Sequence, residues 1–226
     1  MSRAEKKMKT VAAIYTAVSI IEPIKAIFAE LIPGARLVNI YDDSLIPDVI
    51  AAGNVVTGDV KRRMLAYCRA AEDMGADVIL STCSSMGEIV GEIQSFIRIP
   101  ILRIDEPMIV DAVGGASSVA ILATVETTMG PTGRLVRAVA KKLGKEISIV
   151  EAVAQGALQA LGQGKPEVHD ELLMQAALSV AGEAEVIILA QGSMARMQDA
   201  IARATGKKVV SSMRMGVAAV KACLEK

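Results

Sequence analysis

The sequence predicts an α/β fold of two pseudo-symmetric halves, each a parallel sheet flanked by helices, with the active site in the cleft between them. Three observations carry this. Short runs rich in Val and Ile alternate with helical stretches, which is the pattern of βαβ units and parallel sheets. SVAILATVETTMGPT (118–132) can be laid on TVAAIYTAVSIIEPI (10–24) at a constant offset of 108, with Thr124 on Thr16 and Pro131 on Pro23. EVIILAQGSM (185–194) answers DVILSTCSSM (77–86). A repeat of this length is too long for a solenoid and predicts two facing lobes with a ligand cleft between them. The division is residues 1–113 and 114–226, at Gly114–Gly115, with the C-terminal helix free to return and pack on the first half.

Each element has a local reason. VAAIYTA (11–17) reads as a buried strand. Pro23 opens a helix to about Leu31, at a first turn where its missing N–H is not needed, and Pro33–Gly34 stops it. ARLVNIYDD (35–43) is a second strand ending in Asp42 and Asp43. SLIPDVIAAGN (44–54) is a broken helix. Thr57–Gly58–Asp59 can cap a long helix from Val60 to about Met74, with Met64, Leu65, Cys68 and Ala71 at helical spacing and Gly75 at its end. ADVIL (76–80) is the next strand, a helix follows from about Met86, and IPILRIDEP (99–107) is a short strand closing in an acidic helix start. The second half repeats strand, helix, strand, helix, strand, with Gly144 answering Gly34 and ALG (160–162) answering AAG (51–53).

Composition limits the function. The chain is 52% hydrophobic but only 2% aromatic, so its core must come from aliphatic residues and Met, and stacking platforms for bases or sugars are not expected. Lys plus Arg and Asp plus Glu are 25 each, which leaves no electrostatic footprint for nucleic acid. Cys68, Cys83 and Cys223 are an odd number without metal-ligand spacing, as expected of free thiols in a reducing, cytoplasmic setting. One histidine excludes His-rich metal sites, and neither a metal nor a cofactor is expected. Lys6, Lys7 and Lys9 ahead of the apolar run Val11–Ile21 resemble a signal peptide, but Glu22–Pro23–Ile24 follows instead of a cleavage site, and the run recurs internally. No apolar run is long enough for a membrane span. The apolar helices suit a homo-oligomer.

The chemistry concentrates in VILSTCSSMGE (78–88), a buried strand feeding a tight turn and a helix start. Ligands of open parallel sheets bind at this end of the strands. Backbone N–H groups there favour an anion and are expected to lower the pKa of Cys83. The repeat gathers Thr16 and Ala17, Ser84 and Ser85 beside Cys83, the turn from Thr124 to Thr128 (with Thr127), and Gln191, Gly192 and Ser193 at the same cleft, with Thr16, Ser84, Ser85, Thr124, Thr127, Gly192 and Ser193 as candidate substrate contacts. Hydroxyls and N–H groups without a metal make a carboxylate or oxyanion receptor. The bland alternative is that Cys83 is a small core residue.

The duplicated halves, the turn Leu80–Ser85, the LATVET turn Leu122–Thr127 and the IPILRIDEP segment together resemble the aspartate/glutamate/hydantoin racemase superfamily, which includes arylmalonate decarboxylase and maleate isomerase. The resemblance runs from about residue 10 to residue 222. It implies cofactor-independent chemistry at the carbon next to the carboxylate of a small acid. One cysteine from each half takes and gives a proton on opposite faces, through an enediolate-like intermediate. Cys83 matches the first-half cysteine, and its second-half counterpart is read as Gly192 in AQGSM, with Ser193 beside it. An unassisted serine is too weak an acid or base to replace a thiol.

Cys83 is therefore the catalytic acid/base candidate. Decarboxylation, attack by Cys83 as a nucleophile, and a non-catalytic carboxylate binder stand as alternatives. Glu126 and Asp43 are candidate second bases; Glu126 can equally cap a helix and Asp42 and Asp43 can equally form a turn. His169 is expected to be solvated at a helix start far from the cleft. Arg98 and Arg103 are expected as surface or inter-subunit charges.

Overall fold

A computed structural model describes residues 8–226, so Lys6 and Lys7 of the basic N-terminal group lie outside the described residues. The first half comprises β1 (Thr10–Tyr15), α1 (Ile21–Leu31), β2 (Arg36–Tyr41), α2 (Leu45–Ala51), α3 (Gly58–Asp73), β3 (Val78–Ser81), α4 (Gly87–Gln94), β4 (Ile101–Arg103) and α5 (Glu106–Gly115). The second comprises β5 (Ser118–Ala123), α6 (Met129–Lys142), β6 (Ser148–Val153), α7 (Ala157–Gly162), α8 (Pro166–Val180), β7 (Val186–Leu189), α9 (Gln198–Thr205), β8 (Lys208–Ser211) and α10 (Ser212–Leu224). Two four-stranded sheets form, ordered β2-β1-β3-β4 and β6-β5-β7-β8, and every pairing is parallel.

The repeat is preserved in the hydrogen-bond register. Ile14 pairs with Ser81 in the first sheet and Leu122 with Leu189 in the second, both partners shifted by the same 108 residues. All six residues of β1 are buried because helices cover both sheet faces, whereas edge strands β2 and β6 are half exposed. In α3, Val60, Met64, Cys68 and Ala71 are buried at helical spacing, and the Thr57 hydroxyl accepts from the Val60 N–H at 3.4 Å. Strands β1 and β2 each end two residues earlier than the sequence suggests. Thr16, Ala17, Asp42 and Asp43 leave the ladder for the loops at the cleft. A 3-10 turn at Val18–Ile20 precedes α1, so Pro23 is its third residue, still within the turn whose N–H groups need no helical partner.

The last helix of each half crosses to the other sheet. Met108, Ile109, Ala112 and Val113 of α5 join the core of the second sheet, with Val119, Ile121 and Ile188. Met213, Val217 and Val220 of α10 join the core of the first, with Tyr15, Ile24 and Phe28. Gly114 and Gly115 are the last residues of α5. The division at 113/114 therefore falls at the end of a helix that serves the second sheet. Gly216 allows α10 to seat closely, since a Cβ there would lie 2.9 Å from the Ile104 carbonyl oxygen. The Arg214–Glu30 ion pair joins α10 to α1. This double exchange holds the cleft-facing ends of the sheets against each other.

Among the described residues, no helix is long and apolar enough to cross a membrane.

Candidate active site

After β3 the chain stays extended through Cys83 (φ −117°, ψ 118°), makes a 3-10 turn at Ser84–Met86 and enters α4. After β7 it stays extended through Gln191 (φ −132°, ψ 142°) and makes a 3-10 turn from Gly192 to Met197. Met86 N–H donates to the Cys83 carbonyl at 3.1 Å, and Met194 N–H to the Gln191 carbonyl at 3.1 Å. Gln191, not Gly192, is therefore the counterpart of Cys83. At the constant offset Gly192 answers Ser84, and Met194 on Met86 fixes that register. Gly192 is also sterically constrained, because a Cβ there would lie 2.9 Å from Ile20 Cγ2.

Each half pairs a threonine after its first strand with the residue that opens the turn after its third. The Thr16 hydroxyl and the Met86 and Ser85 N–H groups lie beside the Cys83 sulfur, where each favours its thiolate. In the second half the Thr124 N–H and hydroxyl donate to Gln191 Oε1 at 2.5 and 2.8 Å. The halves touch through the Ser84 hydroxyl, which donates to the Ala190 carbonyl at 3.2 Å, and through the Arg134–Glu88 ion pair between α6 and α4.

The expected lowering of the Cys83 pKa is not found. Burial pushes the thiol up; the Thr16 hydroxyl and the Met86 and Ser85 N–H groups pull it back without cancelling the rise, and the Asp105 carboxylate adds to it. Removing a thiolate from water outweighs the donors that would hold it. Cys83 accordingly rests as the neutral thiol.

Asp105 is part of a second departure. Arg103, expected at the surface, is largely buried and forms a two-pronged pair with the buried Asp105, Nε to Oδ1 at 2.9 Å and Nη2 to Oδ2 at 2.8 Å. Room for its guanidinium comes from Gly87, where a Cβ would collide with it. Arg98 is exposed, as expected, against Glu72. His169 is wholly buried rather than solvated. It heads the buried stripe His169, Leu173, Ala177 and Val180 of α8, a helical spacing visible in the sequence. Its Nδ1 lies 2.9 Å from Asp170 Oδ1, and it is not among the residues lining the cleft.

A cavity of about 290 Å³ opens between the halves. Cys83, Ser84, Ser85 and Thr16 line it from the first half, and Thr127, Gly192 and Ser193 from the second. Thr127 Oγ1 is buried and has no hydrogen-bond partner. Asp43 lines the exposed rim, while neighbouring Asp42 is a turn former. Burial would raise the Asp42 carboxyl, but the Ser44 and Tyr67 hydroxyls, the Ser44 N–H and the Arg63 guanidinium hold it below the usual range. Two expected site residues do not line the cavity. Thr124 is committed to Gln191 behind the wall, and Glu126 is exposed in the 3-10 turn before α6. Gln191 and Thr128, which the repeat gathers, line the cavity, and so do Thr82 and Ser212, which it does not single out. The offset of 108 makes Gln191 the partner of Cys83. Ser212 has no motif; it arrives because α10 begins there.

A family model described as Asp/Glu/Hydantoin racemase matches residues 12–220. The chain belongs to the Asp/Glu/hydantoin racemase family. Its relatives by structure have the same two-lobed α/β fold. A glutamate racemase from Bacillus anthracis superposes with a TM-score of 0.78 at 12% identity, over 97% of this chain and 82% of that one. A putative Asp/Glu racemase from Yersinia pestis gives 0.75 at 18% identity, over 96% and 100%. An allantoin racemase from Pseudomonas fluorescens gives 0.62 at 19% identity, over 96% and 91%. No curated protein matches the sequence. Racemases are isomerases, and membership of the family makes this chain an enzyme of that type. Within the racemase fold, this member places a thiol and an amide at the two pseudo-equivalent turns.

Proposed function

We propose that the enzyme moves a proton on and off the carbon next to a carboxylate, with Cys83 as its single thiol acid/base and no cofactor. The observation that carries this is the pairing of Cys83 with Gln191 at equivalent positions of one cavity. A glutamine amide neither gives nor takes a proton in the biological range, so it orients and polarises but does not titrate. The substrate carboxylate sits among Ser84, Ser85, Thr127 and Ser193, where N–H groups and hydroxyls face developing negative charge. Once its thiol has given its proton to water, Cys83 takes the α-proton, and the C–H electron pair moves into the carboxylate to give an enediolate. The thiol then returns a proton to the same carbon, and the electron pair re-forms the C–H bond.

A second reading shares this site and is favoured by the neutral resting thiol. An acid with two carboxylates on one carbon loses carbon dioxide, the pair of the broken C–C bond forms the enediolate, and the waiting thiol protonates it. The thiolate then recovers its proton from water. Both readings place all proton traffic on Cys83.

The test is incubation of 2-substituted acids in deuterated water with the wild-type enzyme and Cys83→Ala. The proposal expects solvent deuterium at the α-carbon with the wild type and none with the variant. Exchange that survives Cys83→Ala overturns it. A stable mass adduct on Cys83 without α-exchange would instead assign it as a nucleophile.

A further inference from the structure

The cavity has a polar floor and an apolar outer wall. Ile46, Pro47 and Ile50 of α2 form one lip, and Leu158 of α7 forms the other. Ile46 and Leu158 are each the second residue of the short helix after an edge strand, so both halves contribute to the wall. Ile50 is 51% exposed and Leu158 43%. Apolar side chains left open on a ligand cavity mark the part of the ligand that will cover them.

Charge in the cavity is one-sided. Among the described residues no Lys, Arg or His lines it, and Asp43 is its only carboxylate. The nearby guanidinium groups are already committed, Arg103 to Asp105, Arg134 to Glu88, and Arg63 to Asp42 and Asp48. A substrate carboxylate on the floor can use N–H groups and the unpartnered Thr127 hydroxyl. A second carboxylate on the substituent would meet aliphatic carbon and the Asp43 anion, losing its hydration for nothing in return.

We infer that the substrate carries one carboxylate and a branched aliphatic substituent seated on Ile46, Ile50 and Leu158, and that Asp43 sets specificity by rejecting a second carboxylate on that substituent. This rests on the carboxylate site proposed above. It separates this chain from substrates shaped like aspartate or glutamate, whose side chains end in an anion.

Shape-matched acids test it. 4-Methylpentanoate and succinate differ in an isopropyl group against a carboxylate. Each is titrated against the full-length enzyme while carbamidomethylation of Cys83 by iodoacetamide is followed by peptide mass spectrometry. 4-Methylpentanoate is expected to protect Cys83 at a concentration at least about tenfold lower than succinate, the scale on which apolar pockets discriminate. Asp43→Asn is expected to improve protection by succinate severalfold. Ile50→Ser, at an exposed position, is expected to weaken protection by 4-methylpentanoate. Equal or better protection by succinate overturns the substrate class, and an unchanged ratio in Asp43→Asn overturns the filter. Protection by 4-methylpentanoate with no α-exchange of any acid would sink the catalytic reading alone. Failure of both acids to protect would sink the carboxylate site and the wall together.

Discussion

Gln191 accepts two hydrogen bonds from Thr124, one from its N–H at 2.5 Å and one from its hydroxyl at 2.8 Å. The equivalent contact in the other half is the Thr16 hydroxyl on the Cys83 sulfur. Threonine at the end of the first strand of each half thus orients whatever occupies the turn after the third. The fold has kept the orienting residue in both halves, but only one half supplies a group that titrates.

Restoring a thiol opposite Cys83 should restore a second face. Gln191→Cys is expected to raise the rate of stereochemical inversion roughly 100-fold or more over the wild type, the usual scale of a positioned acid–base group. Chiral chromatography of a single enantiomer over time reads this. Gly192→Cys is expected to give no such gain, because its Cβ would meet Ile20 at 2.9 Å.

Cys83 should alkylate slowly at neutral pH. Its pKa is raised chiefly by burial, so thiolate appears only above the range of an ordinary thiol. A pH profile of iodoacetamide labelling is expected to have its midpoint above that of a free cysteine. If protonation of the enediolate limits turnover, the rate is flat through neutral pH and falls as pH rises through this midpoint. Asp105→Asn removes the neighbouring anion and is expected to move the midpoint down.

The Arg103–Asp105 pair should matter more to stability than its place near a cleft suggests. Both partners are largely out of water, at 13% and 1% exposure. Arg103→Met leaves the Asp105 carboxylate buried and alone, which is expected to cost about 3–5 kcal/mol. Urea unfolding of wild type and variant measures it, and a change below 1 kcal/mol (roughly the worth of an exposed pair) would contradict this.

Thr127 is expected to separate binding from folding. Its hydroxyl, on a residue of the cavity wall, is buried without a partner, so Thr127→Val removes no hydrogen bond from the folded chain. Thermal stability should be unchanged or slightly higher. Affinity for a bound acid should fall roughly 10- to 100-fold, the worth of one hydrogen bond to an anion. Calorimetric titration alongside thermal unfolding checks both halves of this expectation.

Much of this molecule was readable from the repeat. The two sheets, the Thr57-capped helix and the gathering of Cys83, Ser84, Ser85, Thr127 and Ser193 at one cavity follow from apolar runs, punctuation and the offset of 108. The same repeat brings Gln191 to the cleft, but its equivalence to Cys83 needs the exact offset of 108, since a shift of one residue pairs Cys83 with Gly192 instead. The burial of His169 was also legible, as the first position of the stripe continuing through Leu173 and Ala177. Other features were not legible. Whether burial or hydrogen bonding wins at Cys83 depends on how completely the closed lobes exclude water. Arg103 is largely buried because its guanidinium seats over Gly87, a tertiary fact. The crossing of α5 and α10 depends on which sheet face each apolar stripe finds, so Ser212 reaches the cavity without any motif.

The most direct measurement compares two rates on one enantiomer in deuterated water, α-deuterium incorporation by mass spectrometry and inversion by chiral chromatography. With Cys83 alone carrying protons, incorporation should outrun inversion by roughly 100-fold or more, and both should vanish in Cys83→Ala. Incorporation and inversion at equal rates in the wild type would mean that a second base works on the opposite face, and would contradict the account.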